Sequence, residues 1–201
     1  MSHEITLYGV GYTRSARCLW TLLELELDHE YVEDGELIRS DELRAMQPQA
    51  KLPVAMIDGE PLYESAALCT HFCDLAPEKG LLGAPGTRER GLHMQWTSFA
   101  LTEIETWLWS SFKHQGMYPE DVRVPAVIAV NEKEIRSGVA VVNDALADDD
   151  YLVGNKFSVT DIVVSWPINW ARRMNYLGGM ENLSRYLDHL FARPHCRLNS
   201  E

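Results

Sequence analysis

Thr13 and Ser15, which have the clearest potential for chemistry, carry hydroxyl groups in a short loop near the N-terminus. This loop follows a strand-like segment and leads directly into an apolar, helix-like segment. A hydroxyl here can donate a hydrogen bond to a bound thiolate, and the helix N-terminus and the neighbouring Arg14 favour the same anion. Residues 11–15 are therefore a candidate site that stabilises an anionic nucleophile, and a thiol bound there would have a lowered pKa.

A second candidate region, residues 49–66, contains a β-hairpin. Val54–Ile57 is an apolar, strand-like run, Asp58-Gly59 is a favourable tight-turn dipeptide, and residues 61–63 return as a short second strand. The hairpin brings the residues that precede its first strand close to those that follow its second strand. Both flanks are therefore candidates for one binding site.

The two flanks of this hairpin predict a site for a peptide or an amino acid. If the bond between Leu52 and Pro53 is cis, the N–H and C=O of Leu52 point outward and can pair with an extended peptide. Glu64 and Ser65 begin the next helix, whose free N–H groups and dipole favour a carboxylate. The charge of Glu64 suits an ammonium group, so an amino-acid head group fits this position.

Further stretches of the chain resemble the cytosolic glutathione transferase superfamily. ITLYGVGYTRSARCLWTLLELELDHEYVE is similar to the first strand, active-site loop and first helix of bacterial members with a serine- or threonine-type loop. YLVGNKFSVTDI resembles the signature of the helical domain, and LSRYLDHLFARPHCR resembles its closing helix. The resemblance implies an α/β, thioredoxin-like N-terminal domain with a mixed four-stranded sheet and helices, followed by an all-α domain.

The sequence pattern itself divides the chain near the segment LLGAPG. We expect a thioredoxin-like domain over residues 1–82 and an all-helical domain over residues 87–201. The first is predicted to contain strands at Ile5–Gly9, 30–34, Val54–Ile57 and 61–63, and helices at 15–27, Asp41–Met46 and from Glu64 onward. The second is predicted to contain helices over residues 87–115, 119–147, 158–175 and 182–192.

The resemblance implies that glutathione is the co-substrate, with no metal. Its γ-glutamyl group would lie at Glu64 and Ser65, and its cysteinyl backbone at the loop that contains Pro53. Ile38 stands near a position where some relatives have a polar contact to the glycyl carboxylate, so Gln49, Arg39 or Lys51 would substitute for it. The residues that we expect to bind glutathione are Tyr12, Arg14, Arg17, Gln49, Lys51, Leu52, Pro53, Glu64 and Ser65.

Alignment with the family pattern places Thr13 at the position of the activating hydroxyl. Ser15 is the second candidate, although it is equally well explained as the N-cap of the first helix. Tyr12 and Tyr8 are further alternatives, but Tyr8 lies in the predicted strand and is expected to be packed. Because the loop contains no cysteine, the branches of the family that reduce mixed disulfides through a cysteine are disfavoured.

An electrophile pocket is expected between the two domains, open to the loop. Its aromatic residues would suit an apolar substrate, although most aromatic residues at helical spacing belong to a core. The candidates are Tyr12, Trp107, Phe112, Tyr118, Trp166 and Trp170.

Two features are interpreted as structural. Ser158 and Asp161 have the spacing of a capping box, in which Ser158 is the N-cap and Asp161 bonds back to its N–H. Phe157 and Ile162 have the spacing of the accompanying hydrophobic staple. Asp161 is therefore expected to stabilise a helix and to have no catalytic role.

The resemblance also implies a homodimer, in which the first domain of one subunit contacts the second domain of the other. Glu103 and Glu105 are candidates to reach the ligand of the partner subunit, but a solvated helix face explains them better. Histidines 71, 93 and 114 lack partners that would indicate a triad or a metal site, and are expected to be structural.

Composition excludes several classes of function. The formal net charge is −12, which argues against nucleic acid and anionic membranes as partners. The N-terminus lacks the pattern of a secretory signal, and no apolar run is long enough to cross a membrane, so a cytoplasmic protein is expected. The four cysteines, at positions 18, 69, 73 and 196, lack the spacing of a metal site or a redox pair.

Three functions remain open from the sequence. The favoured one is a glutathione transferase that activates the glutathione thiolate for attack on a small, apolar electrophile. A peroxidase, dehalogenase or isomerase would use the same thiolate on another electrophile. A binding or scaffold protein that has lost the chemistry is the third, and the retained Glu64, Ser65 and Lys51-Leu52-Pro53 argue against it.

Overall fold

The computed structural model describes residues 3–11 and 13–198. Its N-terminal part contains a four-stranded mixed sheet in the order β2-β1-β3-β4. The strand β1 is parallel to β2 and antiparallel to β3, and β3 pairs with β4 in an antiparallel hairpin. Strand bounds are Ile5–Gly9 for β1, Glu30–Glu33 for β2, Val54–Ile57 for β3 and Glu60–Tyr63 for β4.

Three helices belong to this part of the chain, and they are α1 (Ser15–Leu25), α2 (Asp41–Met46) and α3 (Ser65–Leu75). The helices α1 and α3 pack against each other. Trp20 and Phe72 are buried in the same core as Leu7 of β1, where alternation along the strand places Leu7 on the inner face. The predicted thioredoxin-like arrangement is thus confirmed, although α1 ends two residues earlier than expected because Glu26 adopts a left-handed conformation, with φ of 52°.

The rest of the chain is helical, as predicted. Its α-helices are α4 (Arg88–Phe99), α5 (Thr106–Phe112), α6 (Ala126–Ala145), α7 (Val159–Arg173) and α8 (Glu181–Phe191). Two π-helical segments, Ala100–Glu105 and Lys113–Met117, flank α5. The predicted helix over residues 119–147 begins only at Ala126, because Pro125 lacks an N–H and restricts the preceding residue to extended conformations.

The two parts of the molecule share one apolar core. The helices α1 and α3 both pack against α7, and Trp20 of α1 contacts Phe157 at a ring-centroid distance of 5.9 Å. Glu24 accepts hydrogen bonds from Trp20 at 2.8 Å and from both Nε and Nη2 of Arg193. This packing fixes the N-terminal loop against α5 and α7, where the candidate site lies.

The predicted capping box of α7 is confirmed. The carboxylate of Asp161 accepts a bond of 2.8 Å from the Ser158 N–H, and it is completely buried. It also accepts bonds from the Leu152 N–H and the Tyr186 hydroxyl, both at 3.1 Å. Asp161 therefore joins three segments, which is a larger structural role than the cap alone.

No helix in the described parts of the chain combines the length and the apolar character needed to cross a membrane. The boundary predicted between residues 82 and 87 stays a prediction.

Candidate functional site

Two adjoining cavities lie where the N-terminal loop meets α5 and α7. The polar cavity, of about 450 Å³, is lined by Arg17, Pro53, Glu64 and Ser65 among others. The aromatic cavity, of about 520 Å³, is lined by residues that include Thr13, Phe112, Trp166 and Trp170. Both cavities are lined by a common set of five residues, which are Arg14, Gln49, Lys51, Leu52 and Trp109. A ligand bound in the polar cavity would therefore lie next to a ligand in the aromatic cavity.

The loop before β3 forms one wall of the polar cavity. Its Leu52-Pro53 bond is cis, and within the described residues the main-chain N–H and C=O of Leu52 make no hydrogen bond. Gln47, a residue not singled out from the sequence, braces this loop because its side-chain oxygen accepts from the N–H groups of Gln49 at 2.7 Å and Lys51 at 3.1 Å. The wall thus offers one main-chain donor and one acceptor on a fixed loop, as pairing with a peptide requires.

The start of α3 forms the opposite wall. Glu64 has a φ of 74° and a ψ of 108°, a conformation that costs a non-glycine residue about 1–3 kcal/mol and persists at sites that require it. Its side chain is exposed, whereas Ser65 is only 5% exposed. The strained turn therefore places an exposed carboxylate beside a buried hydroxyl at a helix N-terminus, which suits an amino-acid head group.

An ion cluster lies behind Ser65, and it consists of the buried Arg17 and Glu105 and the partly exposed Arg14. Arg17, with 1% of its surface exposed, donates to Ser65 Oγ at 3.2 Å and to one carboxylate oxygen of Glu105. Nε of Arg14 donates to the other carboxylate oxygen. The guanidinium groups of Arg17 and Arg14 also lie 5.0 and 5.7 Å from the ring centroid of Trp166. Two cations against one anion leave this cluster with a positive charge that favours anionic ligands.

The environment of Glu105 differs from the one predicted from the sequence. This residue was predicted on a solvated face or near a partner subunit, but it is 2% exposed and paired within its own chain. Burial alone raises the pKa of the Glu105 carboxyl. The charges and hydrogen bonds of Arg17 and Arg14 lower this pKa by a larger amount, so it lies below its usual value. The arginine partners are about ninety positions earlier in the chain, so local helix periodicity gave no sign of them. Glu103 is exposed, as the solvated interpretation requires.

The two hydroxyl groups of the N-terminal loop have different environments. Thr13 is exposed and lines the aromatic cavity, and its hydroxyl lies 2.7 Å from the carbonyl oxygen of Val10 and 3.0 Å from Ser15 Oγ. Ser15 is completely buried and lines neither cavity. Burial follows from close packing, since a Cβ on Gly9 would lie 2.6 Å from the Cβ of Ser15.

The interpretation of Ser15 as the N-cap of α1 is wrong. Arg14 occupies the cap position, and Ser15 is the first helical residue. The Ser15 side chain accepts from the Val10 N–H at 3.3 Å, while the Thr13 hydroxyl accepts from the Ser15 N–H at 3.3 Å. Thr13 therefore satisfies the helix start, and Ser15 ties it to the end of β1. Tyr12 lies outside the described residues.

The aromatic cavity contains three of the predicted aromatic residues. Trp166 and Trp170 lie one helical turn apart on α7 with a ring-centroid distance of 5.2 Å, and Phe112 lies 6.1 Å from Trp170. Trp109, which was not predicted, stacks on Phe112 at 5.5 Å. These rings form a wall that can hold a flat, aromatic molecule.

Trp107 and Tyr118 were expected in this pocket but line neither cavity. Trp107 packs against the core, and Tyr118 packs against the ring of His114 at 5.1 Å. The π-helical segments on both sides of α5 change the helical phase, so a period of 3.6 residues does not identify the tryptophan that faces the cavity. His93 is buried between Thr70 and Thr160, as a structural residue.

Several polar residues of the aromatic cavity were not expected there. These residues are Arg173, Asn169 and Arg197. Ile38 and Arg39, which the sequence resemblance associates with the glycyl carboxylate of glutathione, line the same cavity. Exposed arginines near the end of a helix or of the chain have no sequence signal that distinguishes them from other surface charges. Within the described residues, no group of three or more His, Cys, Asp or Glu side chains is placed to hold a metal ion.

Comparison with known proteins gives matches over both parts of the chain. Residues 7–80 match the family described as Glutathione S-transferase, N-terminal domain, and residues 125–189 match Glutathione S-transferase, C-terminal domain. Glutathione S-transferase GstA of Escherichia coli O157:H7 is 25% identical over 177 residues, covering 87% of this chain and 82% of that protein.

A solved structure and a second curated protein extend this comparison. The structure of a sphingomonad glutathione S-transferase complexed with glutathione has a TM-score of 0.83 and 23% identity, covering 95% of this chain and 94% of that one. Elongation factor 1-gamma 2 of Oryza sativa subsp. japonica is 24% identical over 167 residues. The match covers 79% of this chain and 38% of that protein.

Proposed function

Because this chain belongs to the cytosolic glutathione transferase superfamily, we propose that it binds glutathione in the polar cavity and joins its sulfur to an electrophile in the aromatic cavity. The observation that supports this most strongly is the common wall of the two cavities, which includes Leu52. A peptide paired with Leu52 would present its side chain at that wall. A cysteinyl thiol at this point faces the aromatic rings.

Each charged group of glutathione has a partner in this proposal. The γ-glutamyl carboxylate accepts from the Ser65 hydroxyl and the N-terminus of α3, and its ammonium group pairs with Glu64. The glycyl carboxylate pairs with Lys51 or Arg39. Lys51 Nζ already donates to Gln49 Oε1 at 2.7 Å, so both side chains are held at the mouth of the cavity.

The Thr13 hydroxyl donates a hydrogen bond to the thiolate in this mechanism. Its present acceptor, Val10 O, lies 2.7 Å away, so a rotation about the Cβ–Oγ1 bond must redirect the single hydroxyl hydrogen. The positive charge of the ion cluster formed by Arg14, Arg17 and Glu105 also favours the anion. The thiolate then attacks the electrophile, a C–S bond forms, and the leaving group departs with its electron pair or the adduct takes a proton from water.

Titration of the bound thiol tests this proposal. In the complex with glutathione, the ultraviolet absorbance of the thiolate is expected to develop at a lower pH than in free glutathione, and aryl halides are expected to be conjugated. A bound thiol with the pKa of free glutathione, together with no turnover of aryl halides, hydroperoxides or maleylated acids, would contradict catalysis. Among these, turnover of the hydroperoxide or the maleylated acid alone would assign the related peroxidase or isomerase activity.

A scaffold protein is the second candidate, and two observations favour it. The Thr13 hydroxyl is already engaged by the main chain, and elongation factor 1-gamma 2 is similar over 79% of the chain. A scaffold requires no lowered thiol pKa, so the same titration separates it from an enzyme.

We also propose a homodimer, as the family resemblance implies. Light scattering at micromolar concentration is expected to give twice the mass of the chain, and a monomer would contradict the proposal.

A further inference from the structure

We propose that the electrophile of this protein carries an anionic group, such as a carboxylate, on an aromatic body. This inference rests on the proposed function and specifies its second substrate. It revises the expectation of a purely apolar substrate, because the aromatic cavity is lined by positive charge as well as by aromatic rings.

The charge of the cavity differs from that of the whole chain. The protein has 30 acidic residues and 18 Lys and Arg residues. No acidic residue is among the described residues that line the aromatic cavity, whereas five basic residues line it, namely Arg14, Arg39, Lys51, Arg173 and Arg197. A cavity with a strongly positive lining in an acidic protein attracts anions selectively, because the rest of the surface repels them.

Two of these cations remain available to a second substrate. Arg14 is paired with Glu105, and Lys51 also lines the polar cavity. Arg39 lines the aromatic cavity, but the proposed function assigns it, with Lys51, to the glycyl carboxylate of glutathione. Arg173 and Arg197 line only the aromatic cavity and are exposed, and within the described residues neither makes an ion pair. Among the described residues, neither charge is therefore neutralised by an acidic side chain.

The arrangement along α7 matches an aromatic anion. Trp166, Trp170 and Arg173 follow one another at intervals of four and three residues, so they lie on one face of the helix. Arg197, beyond the end of α8, adds a second guanidinium group to the same cavity. A flat ring packed against the tryptophans can thus place its carboxylate at Arg173 and Arg197, with its reactive carbon towards Thr13. Guanidinium groups suit carboxylates because their N–H donors match both oxygens.

A matched pair of substrates tests the inference. Both 1-chloro-2,4-dinitrobenzene and 4-chloro-3,5-dinitrobenzoate lose chloride when the glutathione thiolate attacks the carbon that bears it. The C–S bond forms, the C–Cl bond breaks, chloride leaves with the electron pair, and the carboxylate of the second compound is unchanged. The measured quantity is the ratio of kcat/KM for the anion to kcat/KM for the neutral compound, divided by the ratio of their uncatalysed rates with glutathione.

In the wild type, the kcat/KM ratio after division by the ratio of uncatalysed rates is expected to exceed one. It is expected to fall about fivefold or more in Arg173→Gln with Arg197→Gln, because each lost charge removes a charge-assisted hydrogen bond. Arg88→Gln is the control, since Arg88 is exposed and lines neither cavity, and it should leave the ratio unchanged. A wild-type ratio of one or less, or an equal ratio in the double variant, would overturn the inference.

A binding measurement separates this inference from the proposed function. Calorimetry with 3,5-dinitrobenzoate and with 1,3-dinitrobenzene needs neither glutathione nor turnover. Stronger binding of the anion, lost in the double variant, supports the anionic ligand even if no electrophile is conjugated. Equal binding of the two compounds, or equal binding of the anion to the wild type and the double variant, would overturn it even if conjugation of neutral electrophiles is found.

Discussion

Nη1 of Arg17 lies 3.2 Å from Oγ of Ser65, and this bond ties the first helix to the N-terminus of α3 beneath the polar cavity. Since Arg17 donates, the Ser65 oxygen accepts, and its own hydrogen remains free to point towards a ligand carboxylate. The same guanidinium group donates to Glu105, which belongs to the helical part of the chain. The proposed glutathione site is therefore held in place by a side chain from the other domain.

Replacement of Glu105 tests this arrangement. In Glu105→Gln the two arginines lose their counter-charge, and breaking a buried ion pair on one side costs about 3–5 kcal/mol. We expect a loss of that order in the free energy of unfolding, measured by denaturant titration, and weaker glutathione binding in the folded fraction. Glu103→Gln is the matched control, because Glu103 lies in the same π-helical segment but is exposed. Equal stability of the two variants would contradict the structural role of Glu105.

The effect of Glu105 is also expected to depend on pH. Although burial opposes it, the pKa of Glu105 lies below its usual value near 4.5 because of Arg17 and Arg14. A lowered pKa stabilises the folded state above the unfolded pKa, and that contribution disappears as the pH falls through the folded pKa. The stability difference between wild type and Glu105→Gln should therefore be largest near neutral pH and decrease below about pH 4.5. A difference that grows on acidification would contradict the ion pair.

The two loop hydroxyls are expected to separate into catalytic and structural roles. Thr13→Ala should raise the pKa of the bound glutathione thiol by about one unit. It should also lower the free energy of unfolding by about 1 kcal/mol, because the Ser15 N–H at the helix start loses its acceptor, whereas Thr13→Ser should retain the wild-type pKa. Ser15→Ala should lower the free energy of unfolding by about 1–2 kcal/mol, because the Val10 N–H loses its acceptor. An unchanged thiol pKa in Thr13→Ala would assign thiolate stabilisation to another group.

Asp161 should be essential for stability and unimportant for chemistry. Asp161→Ala leaves the N–H groups of Leu152 and Ser158 and the Tyr186 hydroxyl without their acceptor, so we expect a loss of about 3 kcal/mol or more in unfolding free energy. Turnover per folded molecule should be retained. Thermal melting equal to that of wild type would contradict this role.

Burial raises the pKa of Asp161 to about 6, against the lowering effect of its hydrogen bonds. A carboxyl with a raised pKa stabilises the folded state below its unfolded pKa, and this contribution is lost as the pH rises through the folded value. The asparagine side chain in Asp161→Asn cannot ionise. The free energy of unfolding of this variant, relative to that of wild type, should therefore rise by about 2–3 kcal/mol between pH 4 and pH 7. A flat difference over this range would show that Asp161 has an ordinary pKa.

Local signals predicted most of the fold. The Asp58-Gly59 turn and the apolar run before it gave the hairpin to within one residue, and Ser158 with Asp161 gave the start of α7. Such features are encoded within a few neighbouring residues. Motif resemblance likewise identified Leu52, Glu64 and other residues of the polar cavity before their geometry was known.

Contacts between distant segments were not predictable in this way. Glu105 appeared to be one of many helix charges, and only the fold places Arg14 and Arg17 beside it. The choice between Trp107 and Trp109 depends on π-helical turns that change the phase of the helix. Arg173 and Arg197 line the same cavity only because the described segment after α8 reaches it.

The most direct test of the account is a calorimetric titration with glutathione, carried out on the wild-type protein and on Ser65→Ala. We predict saturable binding to the wild type, weakened about tenfold by the loss of one charge-assisted hydrogen bond in Ser65→Ala. Ser137→Ala is the control, since this serine is exposed on α6 and lines neither cavity. No saturable binding at millimolar glutathione, or equal affinity in Ser65→Ala and the wild type, would contradict the proposed site.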